Sequence, residues 1–234
     1  MFDVDREERN ILQSWARGLK IELHEARIDL FSLYLDELCT WNSKINLTGI
    51  SSLKKIIREL LLDSILTSLF LPEKGRLLDV GSGAGFPAIP IKICCPGLGV
   101  IMVEPNSKKV AFLKQVVRLT RLSGIEVIQG RVEENGKTCH LEFYDIITAR
   151  ALAPLPKTIA LCAPLLAPGG RLITFQGQNC KNTVKESESI CEKHSLRHSK
   201  IVRYNLPGKS SLRHLLFFER CDESMGSEKG PCRC

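Results

Sequence analysis

The residues richest in chemical content lie in LLDVGSGAGFP, Leu77 to Pro87, where Gly81, Gly83 and Gly85 alternate directly after an apolar run. Glycines so spaced supply positive φ and let a ligand approach the backbone closely, as nucleotide-like ligands do beyond the carboxyl ends of parallel strands. The pattern is G-x-G-x-G, not the G-x-G-x-x-G of dinucleotide sites, and Asp79 precedes the first glycine. A carboxylate there repels a pyrophosphate and meets a positively charged ligand, which favours S-adenosylmethionine over a dinucleotide. Glu104 closes the next apolar run, GVIMVE, where an acid accepts hydrogen bonds from ribose hydroxyls. Beyond the third run, in QGRVEE, Val132 offers an apolar face to an adenine ring, and Glu133 or a backbone group meets its exocyclic amine.

The fourth run ends in ITARALAPL, so Thr148, Ala149, Arg150 and Ala151 are expected to line the reaction centre. The N-P-P-Y type segment of enzymes that methylate exocyclic amines does not stand here. The Cys-Pro pair of pyrimidine C5 chemistry is missing too, since Cys94-Cys95-Pro96 falls after the first helix of the repeat. That fits a target with its own lone pair, such as guanine N7, which needs positioning more than a general base. Arg150 is the expected catalytic residue, holding the cofactor carboxylate, a phosphate or the base edge. A structural salt bridge is the alternative for this residue.

These residues need a sheet to position them. RLLDVG, GVIMVE, IEVIQG, YDIITA and GRLITF are short apolar runs separated by helical stretches, the signature of a mostly parallel α/β sheet. KIVRYNLP and RHLLFFER, joined by a short loop, predict an antiparallel hairpin at one end. The fold expected is a Rossmann-like class I methyltransferase with a seven-stranded, mostly parallel sheet, flanking helices and a C-terminal antiparallel strand. Ahead of it, helical spacing of Ile11, Leu12, Trp15 and Leu19, and of Ile28, Phe31, Leu35 and Leu38, predicts a helical extension. A third helix is expected over SSLKKIIRELLLDSILTSLFL, with WNSKINLTG as a polar connector before it. The divisions expected are residues 1–72 for the extension, 73–220 for the sheet domain and 221–234 for a disordered tail.

The chain has 234 residues and a formal net charge of +7. This suits a polyanionic partner, with Lys44, Lys54, Lys55, Lys108, Lys109, Arg131, Lys209 and Arg213 as candidate phosphate contacts. The charged start and the lack of a long apolar run predict a cytoplasmic protein with no signal peptide and no membrane span. The ten cysteines form no C-x-x-C pair, so no metal is expected.

Several segments together resemble the GidB (RsmG) family of bacterial 16S ribosomal RNA guanine-N7 methyltransferases. They are WNSKINLTGI (Trp41 to Ile50), LLLDSI (Leu60 to Ile65), LLDVGSGAGFPAIPI (Leu77 to Ile91), KKVAFLKQV (Lys108 to Val116), GRVEE (Gly130 to Glu134), ITARALAPL (Ile147 to Leu155), APGGRL (Ala167 to Leu172) and FQGQ (Phe175 to Gln178). The resemblance implies S-adenosyl-L-methionine as cofactor and a guanine in a stem-loop of 16S RNA near the decoding centre as target. It implies 16S RNA or the 30S subunit as partner of a monomeric enzyme. It also implies cofactor contacts at Gly81, Phe86, Glu104, Val132, Glu133 and Arg150, which join Asp79, Gly83 and Gly85 read from the turn itself, and cofactor or RNA roles for Arg131, Arg150 and Arg213; Asn46 is a further expected RNA contact. The chain departs from the family at Gln176, where many members carry lysine, and at Leu60, where many carry histidine. The residues taken without the resemblance leave two alternatives: a methyltransferase for a small molecule or protein, and a nicotinamide-dependent oxidoreductase.

Overall fold

The apolar runs punctuated by glycine become strands, and the 3.6-residue spacings become helices. A computed structural model describes residues 6–132, 143–177, 180–210 and 212–221 of the chain. The strands are β1 (Gly75–Val80), β2 (Leu98–Glu104), β3 (Ile125–Gln129), β4 (Tyr144–Ala149), β5 (Leu166–Gln176), β6 (Leu196–Asn205) and β7 (Leu212–Arg220). They form one seven-stranded sheet in the order β3-β2-β1-β4-β5-β7-β6. The first five strands pair in parallel, whereas β7 runs antiparallel to both β5 and β6. The sequence of β1 to β4 thus places the ends of β1, β2 and β4 side by side at one rim, where the order reverses.

Alternation along the strands divides the core in two. Leu77, Ile146, Ile173, Leu215 and Phe217 face one layer, with Leu12, Phe31, Leu35, Ile65 and Phe112. Leu78, Ile147, Leu172, Leu216 and Phe218 face the other, with Ile159, Cys162 and Cys191. The first layer is built from α1 (Arg6–Gly18), α2 (Glu25–Ile45), α4 (Leu62–Ser68), α5 (Ala88–Cys94) and α6 (Ser107–Thr120). The helices ahead of β1 therefore bury their apolar faces on the sheet itself. The second layer holds α7 (Leu155–Cys162), α8 (Cys180–Lys185) and α9 (Glu188–Lys193).

Two expectations for the extension change. Trp41 to Ile45 continue α2, so the connector begins only at Asn46, whose left-handed backbone (φ 46°) caps the helix. The third helix is not uniform: α3 (Leu53–Ile56), capped by the Ser52 side chain, passes through a π turn at Ile57–Leu61 before α4. The π turn is closed by the Leu62 N–H donating to the Ile57 carbonyl, one residue wider than an α-helical bond. Among the described residues no helix is long and apolar enough to cross a membrane.

Candidate active site

β1 delivers Asp79 to the rim, where it is almost wholly buried. Thr148, its neighbour in register on β4, donates its hydroxyl to Asp79 Oδ1 at 2.6 Å. The other oxygen, Oδ2, is buried and has no hydrogen-bond partner among the described residues. Burial pushes the Asp79 carboxyl up to about 6, against the opposing hydrogen bond from Thr148. A buried carboxylate with an unpartnered oxygen, raised to about 6 and so mostly ionised at pH 7, has the chemistry to receive a cationic group.

The chain then turns through Gly81, Gly83 and Gly85 at φ 75°, 57° and 90°. The N–H groups of Gly81 and Ser82 donate to the Val103 carbonyl, tying the turn to β2. A Cβ on Gly81 would lie 2.9 Å from Leu152 Cδ1, the movable end of that side chain, so it is the positive φ more than the contact that calls for glycine here. Glu104, also buried, accepts from Gly83 N–H at 2.8 Å with Oε2 and from Asn106 N–H at 2.9 Å with Oε1. Each carboxylate oxygen has a second lone pair, which leaves acceptor capacity for ligand hydroxyls. Beside the turn is a cleft of about 130 Å³ whose walls include Gly81, Val103, Pro105, Arg131, Val132 and Leu152. Its apolar sides and narrow shape suit a flat heterocycle. Gly81 and Val132 line this cleft, while Asp79 and Glu104 lie buried at the strand ends beside it, with Gly83 tied to Glu104; together they form a notch at the rim. Phe86 is buried behind it, packed on Tyr34 at 5.3 Å between centroids. Glu133 lies outside the described residues.

Tyr34 is a residue that sequence reading missed. Its hydroxyl, carried by α2, donates at 2.6 Å to the carbonyl of Ala84, inside the glycine turn. A helix of the extension therefore braces the notch from behind. Helical periodicity marks Tyr34 only as core, and nothing local reveals what its hydroxyl reaches.

A second cavity, about 360 Å³, opens between the ends of β4 and β5 and is lined by Asp63, Arg150, Phe175, Gln176, Tyr204 and Arg213 among others. Ala151, which follows Arg150, is held at φ 50°, a left-handed conformation uncommon for a residue other than glycine. Arg150 forms an ion pair with Asp63 Oδ2 at 2.8 Å, donates to the Glu59 carbonyl at 2.6 Å and lies over the Phe175 ring at 5.1 Å. Burial lowers its pKa, opposed by the charge of Asp63. Arg213 from β7 reaches the same Asp63 oxygen at 2.9 Å and the Glu59 carbonyl at 3.3 Å. Tyr204 donates its hydroxyl to Asp63 Oδ1, and Lys209 pairs with Glu59 at 3.0 Å. Arg150 and Arg213 are thus brought together on one wall, each engaged by the extension. Asp63, within the LLLDSI segment, and Glu59, which gather them, had no role in the sequence reading; the structural ion pair weighed there for Arg150 is present.

Arg131 is exposed at the mouth of the notch. Asn46 serves the loop after α2: its Oδ1 accepts from Gly49 N–H at 2.9 Å. Asn42 does the same work nearby, bonding Thr48 N–H and the Ile50 carbonyl. The W-N-x-x-x-N-L-T pattern therefore encodes a tight connector, in which the asparagines replace missing backbone partners.

Comparison with known proteins agrees with this architecture. The GidB family, described as rRNA small subunit methyltransferase G, matches residues 27–215. The chain is similar to ribosomal RNA small subunit methyltransferase G of Geotalea uraniireducens, 34% identical over 91% of this chain and 96% of that protein. It is similar to the protein of that name from Acetivibrio thermocellus, 35% identical over 94% of this chain and 91% of the other. In fold it is similar to TYW2 of M. jannaschii, solved in complex with AdoMet (TM-score 0.55, 14% identity, 68% of this chain and 74% of that one). The YcgJ protein of Bacillus gives the same TM-score of 0.55 at 14% identity, covering 68% of this chain and 98% of that chain. With the family's pattern matched across the sheet, the rim and most of the extension, the chain belongs to the GidB family of small-subunit ribosomal RNA methyltransferases.

Proposed function

We propose that this protein transfers a methyl group from S-adenosylmethionine to N7 of a guanine in 16S ribosomal RNA, acting in the cytoplasm on the small subunit or its RNA. The observation that carries the reading is the unpartnered, buried Oδ2 of Asp79 beside a turn whose three glycines are all held at positive φ. The residues present fit S-adenosylmethionine: Asp79 would meet its ammonium group, Glu104 its ribose hydroxyls and the cleft at Val132 its adenine. When bound, that cofactor supplies a methyl group already activated by positive sulfur.

The rest falls to this chain's residues. N7 of guanine offers a lone pair and carries no proton, so no side chain has to act as a base. What must be achieved is orientation, and the wall of Arg150 and Arg213 beside the end of β4 offers fixed donors for phosphate or base edges. Arg131, at the mouth of the notch, extends that basic surface. The relatives' name, ribosomal RNA small subunit methyltransferase G, supports the choice of RNA over a small molecule.

The test is methyl transfer to 30S particles and to naked 16S RNA from a strain lacking the protein, followed by mass mapping of the modified nucleotide. One 7-methylguanine is expected, with RNA binding that weakens steeply as salt rises. Transfer to a protein or metabolite with no RNA product would refute the reading.

A further inference from the structure

Resting on the RNA-methylating reading, we propose that Asp63 is a positioning residue for the substrate pocket. Its buried carboxylate, with the carbonyls of the π turn, holds Arg150 and Arg213 side by side as a preset fork for RNA. Asp63 is only 1% exposed, yet it lines the cavity at the ends of β4 and β5. Its Oδ2 takes Arg150 at 2.8 Å and Arg213 at 2.9 Å, and its Oδ1 takes the hydroxyl of Tyr204.

Arg150 directly follows β4 and Arg213 lies in β7, strands that are not neighbours, and the two carry like charges. Without a shared anion they would repel, and each long side chain would sample many rotamers. Asp63 removes both problems at once, because one oxygen draws the two guanidinium groups to the same point. The π turn completes the fixation from the same segment: the Glu59 carbonyl accepts from both arginines, and the Leu60 carbonyl lies 3.5 Å from Arg150 Nη1. Phe175, under Arg150 at 5.1 Å, sets the plane of that guanidinium.

Two carboxylates, Asp63 and Glu59 (3.6 Å from Arg213), face four cations, Arg58, Arg150, Lys209 and Arg213, so the wall stays net positive: the fork is braced and still attracts an anion. A buried anion kept only for stability would gain little over an apolar residue of similar size. A cavity wall that must present two fixed cations does need it. The N-terminal extension would then supply part of the substrate site through Asp63.

Asp63→Asn and Tyr204→Phe separate this role from mere packing. The direct readout is rotation of the Arg150 and Arg213 guanidinium groups, followed by NMR of their Nε–H signals. The second is kcat and KM for small-subunit RNA, with calorimetric binding of S-adenosylhomocysteine as reference. Asp63→Asn should speed rotation of both groups and lower kcat by about ten- to a hundredfold, the cost of misplacing substrate by an ångström or so. Binding of S-adenosylhomocysteine should stay within about twofold, since the notch is untouched. Tyr204→Phe, which keeps the carboxylate but loses one of its donors, should shift both readouts in the same direction by about threefold. It decides the matter if the asparagine variant does not fold. Either folded variant with unaltered arginine rotation, or with wild-type kcat and KM, overturns the proposal. Failure of the wild-type protein to methylate RNA would instead sink the substrate reading, and the rotation rates would still decide the role of Asp63.

Discussion

The glycine notch and the arginine wall sit at the same rim of the sheet but are made in opposite ways. The notch is local: Asp79, Gly81, Gly83 and Gly85 fall within a few residues, and one further strand end adds Glu104. Glu104 is satisfied by nearby main chain and Asp79 Oδ1 by the Thr148 hydroxyl, and one acceptor atom, Asp79 Oδ2, is left over. The wall draws Glu59, Asp63, Arg150, Tyr204, Lys209 and Arg213 from three separate parts of the chain and satisfies most of its charges internally. A site that recognises one small cation can be written into a single turn. A surface that holds cations against their mutual repulsion has to recruit anions from elsewhere.

The largest effect expected on this contrast is at Gly81. Gly81→Asp puts a Cβ against Leu152 at a positive φ, and calorimetry should find S-adenosylhomocysteine binding weakened by about a hundredfold or more, from strain of roughly 1–3 kcal/mol added to direct obstruction. RNA binding by the wall should be unchanged in the same protein. Simultaneous loss of both in a folded variant would show that the two regions are not separable.

Asp79 gives the next largest effect, with a pH signature. Its carboxyl titrates near 6 in the fold against 3.8 ordinarily. Stability due to its neutral form is fully present below 3.8 and is lost as pH rises through about 6. The ligand-free protein thus carries the cost of a buried charge at pH 7, while a cationic ligand needs that charge. Affinity for S-adenosylhomocysteine should therefore fall as pH drops below about 6. Asp79→Asn should abolish that dependence, weaken binding about tenfold or more, and raise the ligand-free stability at pH 7 by up to about 2 kcal/mol in thermal melts. A variant that both binds normally and melts lower would contradict the account.

Smaller still is Tyr34→Phe, which leaves the Ala84 carbonyl without its donor. Unfolding should become easier by about 1–2 kcal/mol, and ligand affinity should fall a few-fold as the turn loosens. The smallest effect belongs to Lys209→Ala. Its pair with Glu59 is 39% and 20% exposed on the two side chains, so chemical denaturation should register less than about 1 kcal/mol. A large loss there would mean the wall is more tightly coupled than its exposed outer pair suggests.

The difference in construction also decides what the sequence reveals. All seven strands are legible because each is a short apolar run bounded by glycine or polar residues, and the notch is legible because glycine spacing and acid position are local properties. Asn46 shows the limit: its neighbourhood is distinctive, but the distinctiveness serves a loop in which Asn46 and Asn42 replace backbone partners. The π turn is invisible because Ile57–Leu61 has ordinary helical residues, and its widening is fixed by what packs around it. Asp63 and Tyr34 stay hidden for a further reason. Their partners are 87 and 50 residues away in the chain, and only tertiary packing brings an acid to Arg150 or a hydroxyl to Ala84.

The position of β7 bears on how the molecule is made. Last of the seven strands in chain order, it lies inside the sheet and separates β5 from β6. A nascent chain can assemble the glycine notch from the first five strands, but its sheet cannot close until the final strand leaves the ribosome and slots into the gap. Arg213 travels on that strand, so on the proposed reading a half-finished polypeptide would have its place for the methyl donor before its complete grip on RNA.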